Sequence, residues 1–151
     1  MNHKLLATLV TAALLLPAQS LMADDEISDS AKYRSLVMST IGSSFGGFVN
    51  VFLGKVDLQE PQTHLVANSQ ALADSAALVK DLVQAGSEGG DALPAIWLEM
   101  DTYQEYAKNL KDATANLAAA AEANDRAAMG AAFKAVGKSC KACHNKFRAE
   151  N

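Results

Sequence analysis

Near its carboxyl end the chain reads Cys140-Lys141-Ala142-Cys143-His144, which holds its only two cysteines, three positions apart, with a histidine directly after them. On a helix, positions i and i+3 share a face, so both thiols would point the same way with the imidazole beside them. Two thiols so placed can add across the two vinyl groups on one edge of a porphyrin, and the adjoining histidine can swing beneath the ring to bind iron. C-x-x-C-H is the attachment pattern of a c-type haem. The expectation is one covalent haem c, held by Cys140 and Cys143, with His144 as an iron ligand.

Three other uses of these residues compete. A zinc site needs four ligands, and once the amino-terminal leader described below is set aside only His64 could join Cys140, Cys143 and His144. A thioredoxin-type pair belongs at a helix start after a strand, whereas this one falls late in a helical stretch. A disulfide between residues three apart on a helix is strained.

A ring needs walls, and the rest of the chain reads as helices. It is rich in Ala, Leu, Val, Lys, Glu and Asp, and no stretch alternates strictly between turn signals as a strand would. A first helix is expected over about residues 30–52, capped by Ser28 or Asp29, with Tyr33, Val37, Ile41, Phe45, Phe48 and Phe52 recurring at three- and four-residue steps. Gly42, Gly46 and Gly47 weaken it, which calls for close packing of a neighbour or of a flat ligand. A second helix follows Pro61, carries Leu65, Asn68, Leu72, Ala76, Val79 and Val83 on one face and ends at Gly86. A third begins near Pro94 with Trp97, Met100, Tyr103, Leu110, Ala113 and Leu117 on one stripe. The fourth starts after Asn124-Asp125 and carries Met129, Ala132, Phe133, Val136, Cys140, Cys143 and Phe147. Four amphipathic helices with short joins make an all-α, antiparallel up-down bundle, with the haem between helices near the carboxyl terminus.

The chain has 151 residues, half of them hydrophobic, enough for one core and too few for two. Residues 1–23 read as a secretory signal: Lys4, an apolar run over 5–16, then small residues after Pro17. Cleavage after Ser20 has Ala18 in the small-x-small pattern, while cleavage after Ala23 leaves an acidic start at Asp24; the second is the boundary adopted, giving a domain over 24–151. The run is too short to span a bilayer, and no other segment reads as transmembrane, so an exported, periplasmic protein without stable membrane insertion is expected.

Removing the leader takes away Lys4 and no acid, so the net charge of −4 becomes −5. That balance argues against nucleic acid as the partner. It is uneven: residues 24–124 hold 15 acids and 6 bases, whereas residues 125–151 hold Asp125 and Glu150 against Arg126, Lys134, Lys138, Lys141, Lys146 and Arg148. The basic end either offsets the haem propionates and the acidic helices, or forms a docking ring in which Lys138, Lys141 and Lys146 steer an acidic redox partner.

Taken together, the sequence resembles the class II c-type cytochromes, which include cytochrome c′. The likeness covers nearly the whole mature chain and rests on C-x-x-C-H within the last dozen residues followed by Phe147-Arg148, on Lys32-Tyr33-Arg34 with Met38 after it, and on Glu88-Gly89-Gly90-Asp91 with Pro94 and Ile96-Trp97. It implies that Arg148 lines the proximal face of the haem, that Arg34 contacts a propionate and that Glu88 lies near the propionate edge. Relatives often have Gln directly after that arginine, where this chain has Ser35. The resemblance also implies a homodimer joined through the first two helices, for which the apolar, glycine-rich stretch over residues 45–52 supplies a motive.

Met38, one turn after Arg34, is placed by the resemblance on the distal side of the iron. Its thioether either bonds the metal, giving a His/Met haem of raised potential suited to electron transfer, or fills space as a cap and leaves the iron open to nitric oxide or carbon monoxide. His64 reads as a surface histidine, and Trp97, Tyr103 and Tyr106 as core or interface aromatics. No carboxylate pair or nucleophile constellation points to an enzyme. Two functions follow, a one-electron carrier between redox partner proteins or a gas-binding module.

Overall fold

The computed structural model describes residues 27–150, so the leader expected over residues 1–23 lies outside the described residues. Helix α1 spans Asp29–Phe52, α2 Pro61–Ala77, the short α3 Ala95–Leu98, α4 Met100–Glu122 and α5 Arg126–Phe147, with one 3₁₀ turn at Val79–Asp81. Ser28 caps α1, its hydroxyl accepting the Ala31 N–H at 3.2 Å. Asp125 caps α5, accepting the N–H groups of Ala127 and Ala128 at 3.0 and 2.9 Å; each cap satisfies donors that a helix start leaves open.

Each long helix buries a stripe at three- and four-residue spacing. In α1 it is Val37, Ile41, Ser44, Phe48 and Phe52, and in α4 Tyr103, Ala107, Leu110, Thr114, Leu117 and Ala121. In α2 the stripe runs through Leu65, Ser69, Leu72 and Ala76, so Ser69 takes the inward place expected of Asn68, which instead packs against Gly47. The second helix also stops earlier than expected, at Ala77 rather than Gly86. Partners on α4 take the carbonyls beyond that point: the Tyr103 hydroxyl donates to Val79 O at 2.6 Å and Gln104 Nε2 to Lys80 O at 2.8 Å. Gly86 still has a left-handed φ of 82°, as a turn after a helix requires. The third helix is interrupted at Glu99, where φ is −126° and ψ 47°. The break lets Ile96 enter the core while Trp97 Nε1 donates to Gln84 O at 2.9 Å.

The four long helices alternate in direction. Close backbone contact joins α1 to α2, α2 to α4 and α4 to α5; α1 and α5 complete the ring without comparable approach. Their seam is filled at one end by side chains: the Phe52 ring lies 5.6 Å from that of Phe133, and Arg126 sits 4.6 Å over Phe52 while donating to its carbonyl at 2.6 Å. At the other end the seam is open. That end is tied by Leu93 N–H to Phe147 O at 2.9 Å and Ala149 N–H to Asp91 O at 2.8 Å.

Two sequence expectations change here. Phe48 and Phe52 are buried in their own bundle, so they give no motive for a dimer; the exposed apolar residues of α1 are Tyr33 and Leu36 near its start. In addition α1 is long and apolar enough to cross a membrane by composition, contrary to the reading that no segment after the leader is. Only 22% of that apolar window is buried, so packing of Val37, Ile41, Phe48 and Phe52 into the bundle accounts for part of the composition.

Candidate functional site

The open end of the α1–α5 seam contains two adjoining cavities of about 380 and 350 Å3. Met38 and Gly42 of α1 and Cys143 and His144 of α5 line both, so the two spaces form one slot with α1 as one wall and α5 as the other. The first cavity adds Arg34, Ser35, Asp91, Tyr103, Phe147 and Arg148, and the second adds Phe45, Leu110, Gly137, Ser139, Cys140 and Lys141. One end is therefore cationic and polar, while the other is apolar and carries the first cysteine.

Glycines shape both walls. A methyl group built on Gly42 would meet nothing within 4 Å, so the backbone there faces open space within the slot. On α5, a methyl group built on Gly137 or Gly130 would lie 3.8 or 3.7 Å from the ring of Phe45 or Phe52, at ordinary contact distance, so both positions face large α1 side chains. Their seven-residue spacing was the sequence signal for this contact, and the reading of α5 passed over it. The expectation that α1 needs glycine for a neighbour or a flat ligand divides by position: Gly47 meets Asn68 of α2, and Gly42 faces the slot.

Cys140 and Cys143 are both free thiols, half-buried on the slot side of α5 in its last two turns. Burial pushes the Cys140 thiol up, and burial with its neighbour pushes Cys143 up to about 11. Burial, then the charge of Arg148, pulls the half-buried His144 below its usual value, favouring the neutral imidazole that can bind a metal. Among the described residues no three His, Cys, Asp or Glu side chains converge as a metal-ion site, so the zinc reading finds no ligand set. The exposed His64 sits near the start of α2, at the far end of the bundle, and lines neither cavity.

Arg34 is buried at 7% exposure, and its guanidinium spans a loop. Nη1 donates to Ser87 O at 2.7 Å and Nη2 to Gly89 O at 2.6 Å, while the group lies 5.8 Å over the Trp97 ring. Burial pulls its pKa down, with Tyr103 and Glu88 acting the other way. Arg148 is exposed, lines the first cavity and pairs with Asp91 at 3.1 Å. The slot thus brings together Arg34, Met38, Cys140, Cys143, His144 and Arg148. Glu88 is not among its lining: the residue is exposed and its carbonyl accepts the Ser28 hydroxyl at 3.4 Å. Sequence reasoning placed Tyr103 in the core but missed that it also lines the slot; it quoted Asp91 only as part of a loop motif and gave no role to Ser139, whose hydroxyl is buried without a partner among the described residues.

The residues present fit a covalent haem: two free thiols on one wall with a neutral imidazole between the cavities, a glycine backbone opposite, and guanidinium groups at one end for carboxylates. The comparisons agree. The family described as Cytochrome C′ matches residues 29–148. The cytochrome c′ of Alcaligenes xylosoxydans xylosoxydans is 36% identical over 120 residues, covering 80% of this chain and 93% of that protein. A cytochrome c-556 of Agrobacterium tumefaciens is 29% identical over 116 residues, covering 76% and 93%. The nitric oxide complex of a variant cytochrome c prime from Alcaligenes xylosoxidans superposes with a TM-score of 0.75 at 34% identity, over 82% of this chain and 95% of that one. On fold, motif and similarity, this chain belongs to the cytochrome c′ family of haem c proteins.

Proposed function

We propose that this protein is a periplasmic one-electron carrier, matured by removal of residues 1–23, with haem c joined to Cys140 and Cys143 and its iron bound by His144. When bound, the haem supplies a one-electron iron couple. The observation that carries the reading is the slot itself, where Met38 from α1 and His144 from α5 line the same two cavities, one residue for each side of a ring. Arg34 and Arg148 at the polar end orient the propionates and offset their charge, and Glu88 acts on that edge through Arg34. The apolar walls exclude water, which holds down the reorganisation that accompanies a change of charge. The nearby Tyr33 and Leu36, exposed on α1, support a homodimer through this helix; a single monomeric species in analytical ultracentrifugation at micromolar concentration would remove it.

A second reading has a specific observation behind it. Similar solved structures are a nitric oxide complex and a carbon monoxide complex of cytochrome c prime variants from Alcaligenes xylosoxidans, which supports a gas-binding role for this chain with Met38 as a cap rather than a ligand. Spectra of the purified ferrous holoprotein with and without carbon monoxide, in wild type and Met38→Ala, separate the two. For the carrier, wild type is low-spin and binds carbon monoxide slowly, and Met38→Ala loses the low-spin spectrum with a large fall in potential. For the gas binder, wild type is high-spin and Met38→Ala only speeds binding. Loss of colour from the wild type on acid-acetone extraction would contradict covalent attachment and both readings.

A further inference from the structure

Helix α5 contains no acidic residue between Arg126 and Phe147, in a chain of net charge −4. Its cations divide by what they touch. Arg126 is occupied by the carbonyl and ring of Phe52, and Lys146 pairs with Glu99 at 2.7 Å. Lys134, Lys138 and Lys141 are exposed and have no ion-pair or hydrogen-bond partner among the described residues. Charge compensation within the molecule therefore accounts for Lys146 and leaves these three unexplained.

Their position is continuous with the slot. Spaced four and three apart, Lys134, Lys138 and Lys141 form one row along α5. At 3.6 residues per turn that row falls outside Gly130, Gly137 and His144, the residues that face α1, and Lys141 itself lines the second cavity. Across the seam, α1 carries no charged residue from Ser35 through its end at Phe52, and the exposed α1 residues that line the slot are Ser35, Ser39 and Gly42. The slot thus has a neutral flank on α1 and, on α5, a row of unpaired ammonium groups that begins at its edge with Lys141 and runs along the seam toward its filled end at Lys134, on a chain of net charge −4.

We propose that the mouth of the slot together with this row is the docking surface for an acidic protein redox partner, whose carboxylates meet Lys134, Lys138 and Lys141 while its own redox centre faces the slot. The inference rests on the carrier reading above. Unpaired surface lysines contribute little to folding, but a single-sign row beside an opening steers an oppositely charged surface and aligns it on encounter. The small α1 flank lets a partner approach without a steric or like-charge barrier on that side.

The holoprotein can be tested by voltammetry on electrodes coated with carboxylate-terminated monolayers, which present the carboxylate chemistry of such a partner. Comparison proteins are the triple variant Lys134→Gln/Lys138→Gln/Lys141→Gln, the double variant Lys134→Gln/Lys138→Gln, and Lys108→Gln/Lys111→Gln on α4 as a control of equal charge change to the double. The haem spectrum reports that each site is assembled. Wild type and control are expected to adsorb and exchange electrons at roughly 0.01 M salt and to be released above roughly 0.1 M, where screening shortens to about 10 Å. The triple variant should lose about tenfold or more in adsorbed, electroactive protein, with the double variant between. Equal adsorption and current in wild type and triple variant would overturn the docking surface while leaving the carrier reading in place. Lysine-dependent adsorption without any current would sink the carrier reading and the redox partner with it. Lysine-dependent binding to phosphatidylglycerol vesicles with none to the carboxylate surface would replace the protein partner by a membrane.

Discussion

Three glycines in α1 share one helix and one residue type, yet the structure assigns them three different outcomes on substitution. Replacing glycine by alanine inside a helix stabilises by about 0.5–1 kcal/mol when the new methyl group finds room. At Gly46 nothing lies within 4 Å of the added Cβ, so Gly46→Ala should gain that amount, raising Tm by about 2–5 °C for a domain of this size. At Gly47 the Cβ would sit 2.5 Å from Asn68 Oδ1 and 3.0 Å from its Cγ. The amide cannot simply yield, because Asn68 Nδ2 donates to His64 O at 2.8 Å, a bond with a net contribution of about 0.5–1.5 kcal/mol. The two effects are of similar size, so Gly47→Ala should be neutral or destabilising by up to about 1 kcal/mol. Asn68→Ala removes the obstacle, and in that background Gly47→Ala should recover the full gain, a coupling of about 1 kcal/mol in a double-mutant cycle. Gly42 is different again: its Cβ meets no protein atom but points into the slot, so Gly42→Leu should perturb the haem spectrum while leaving helical content unchanged. Guanidinium unfolding of the holoproteins, followed by circular dichroism and by haem absorption, reads all of these. Equal stabilisation by Gly46→Ala and Gly47→Ala, or no coupling to Asn68, would refute the packing argument; an unchanged spectrum in Gly42→Leu would refute the location of the slot.

Arg34→Ala should destabilise by about 2–4 kcal/mol, because two charge-assisted bonds to the Ser87 and Gly89 carbonyls are lost, one of them buried. Arg34→Lys should recover only part of this, since an ammonium cannot fork to both carbonyls, and hydrogen exchange of the amides of residues 87–91 locates the loss. Burial raises the Tyr103 hydroxyl well above its usual value of 10.0, so ionisation is disfavoured in the folded chain. Its contribution to stability is therefore complete below about pH 10 and declines as pH rises through the folded value. Wild type should exceed Tyr103→Phe by about 0.5–1.5 kcal/mol near pH 8, and the gap should shrink in urea unfolding as pH rises above about 10; a gap that widens would reverse the sign argued here.

The chemistry was legible in the sequence because it is local. Cys140, Cys143 and His144 lie within five consecutive residues, so helical periodicity alone puts the thiols on one face, and no distant part of the chain is needed to bring them together. The stripe of α1 and the caps at Ser28 and Asp125 were legible for the same reason, since each depends on neighbours within a turn or two. Arg34 and Met38 belong to another class: they lie more than 100 residues before the cysteines, and only a family resemblance linked them to the haem before the fold brought α1 opposite α5. What the sequence could not reveal was settled by contacts between distant segments. The second helix stops at Ala77 because Tyr103 and Gln104, over twenty residues later, take the carbonyls beyond it. Tyr33, which helical spacing put on the same stripe as Val37, Phe48 and Phe52, turns outward with Leu36 because the bundle selects which part of an apolar helix has partners. Which lysines of α5 are free was likewise decided by the fold, since the partner of Lys146 is Glu99 on the far side of a loop and a whole helix. Helix formation and thiol spacing follow from bonds and sterics a few residues long, whereas the end of a helix, the direction of a side chain and the pairing of a charge depend on atoms that only the folded bundle brings within reach.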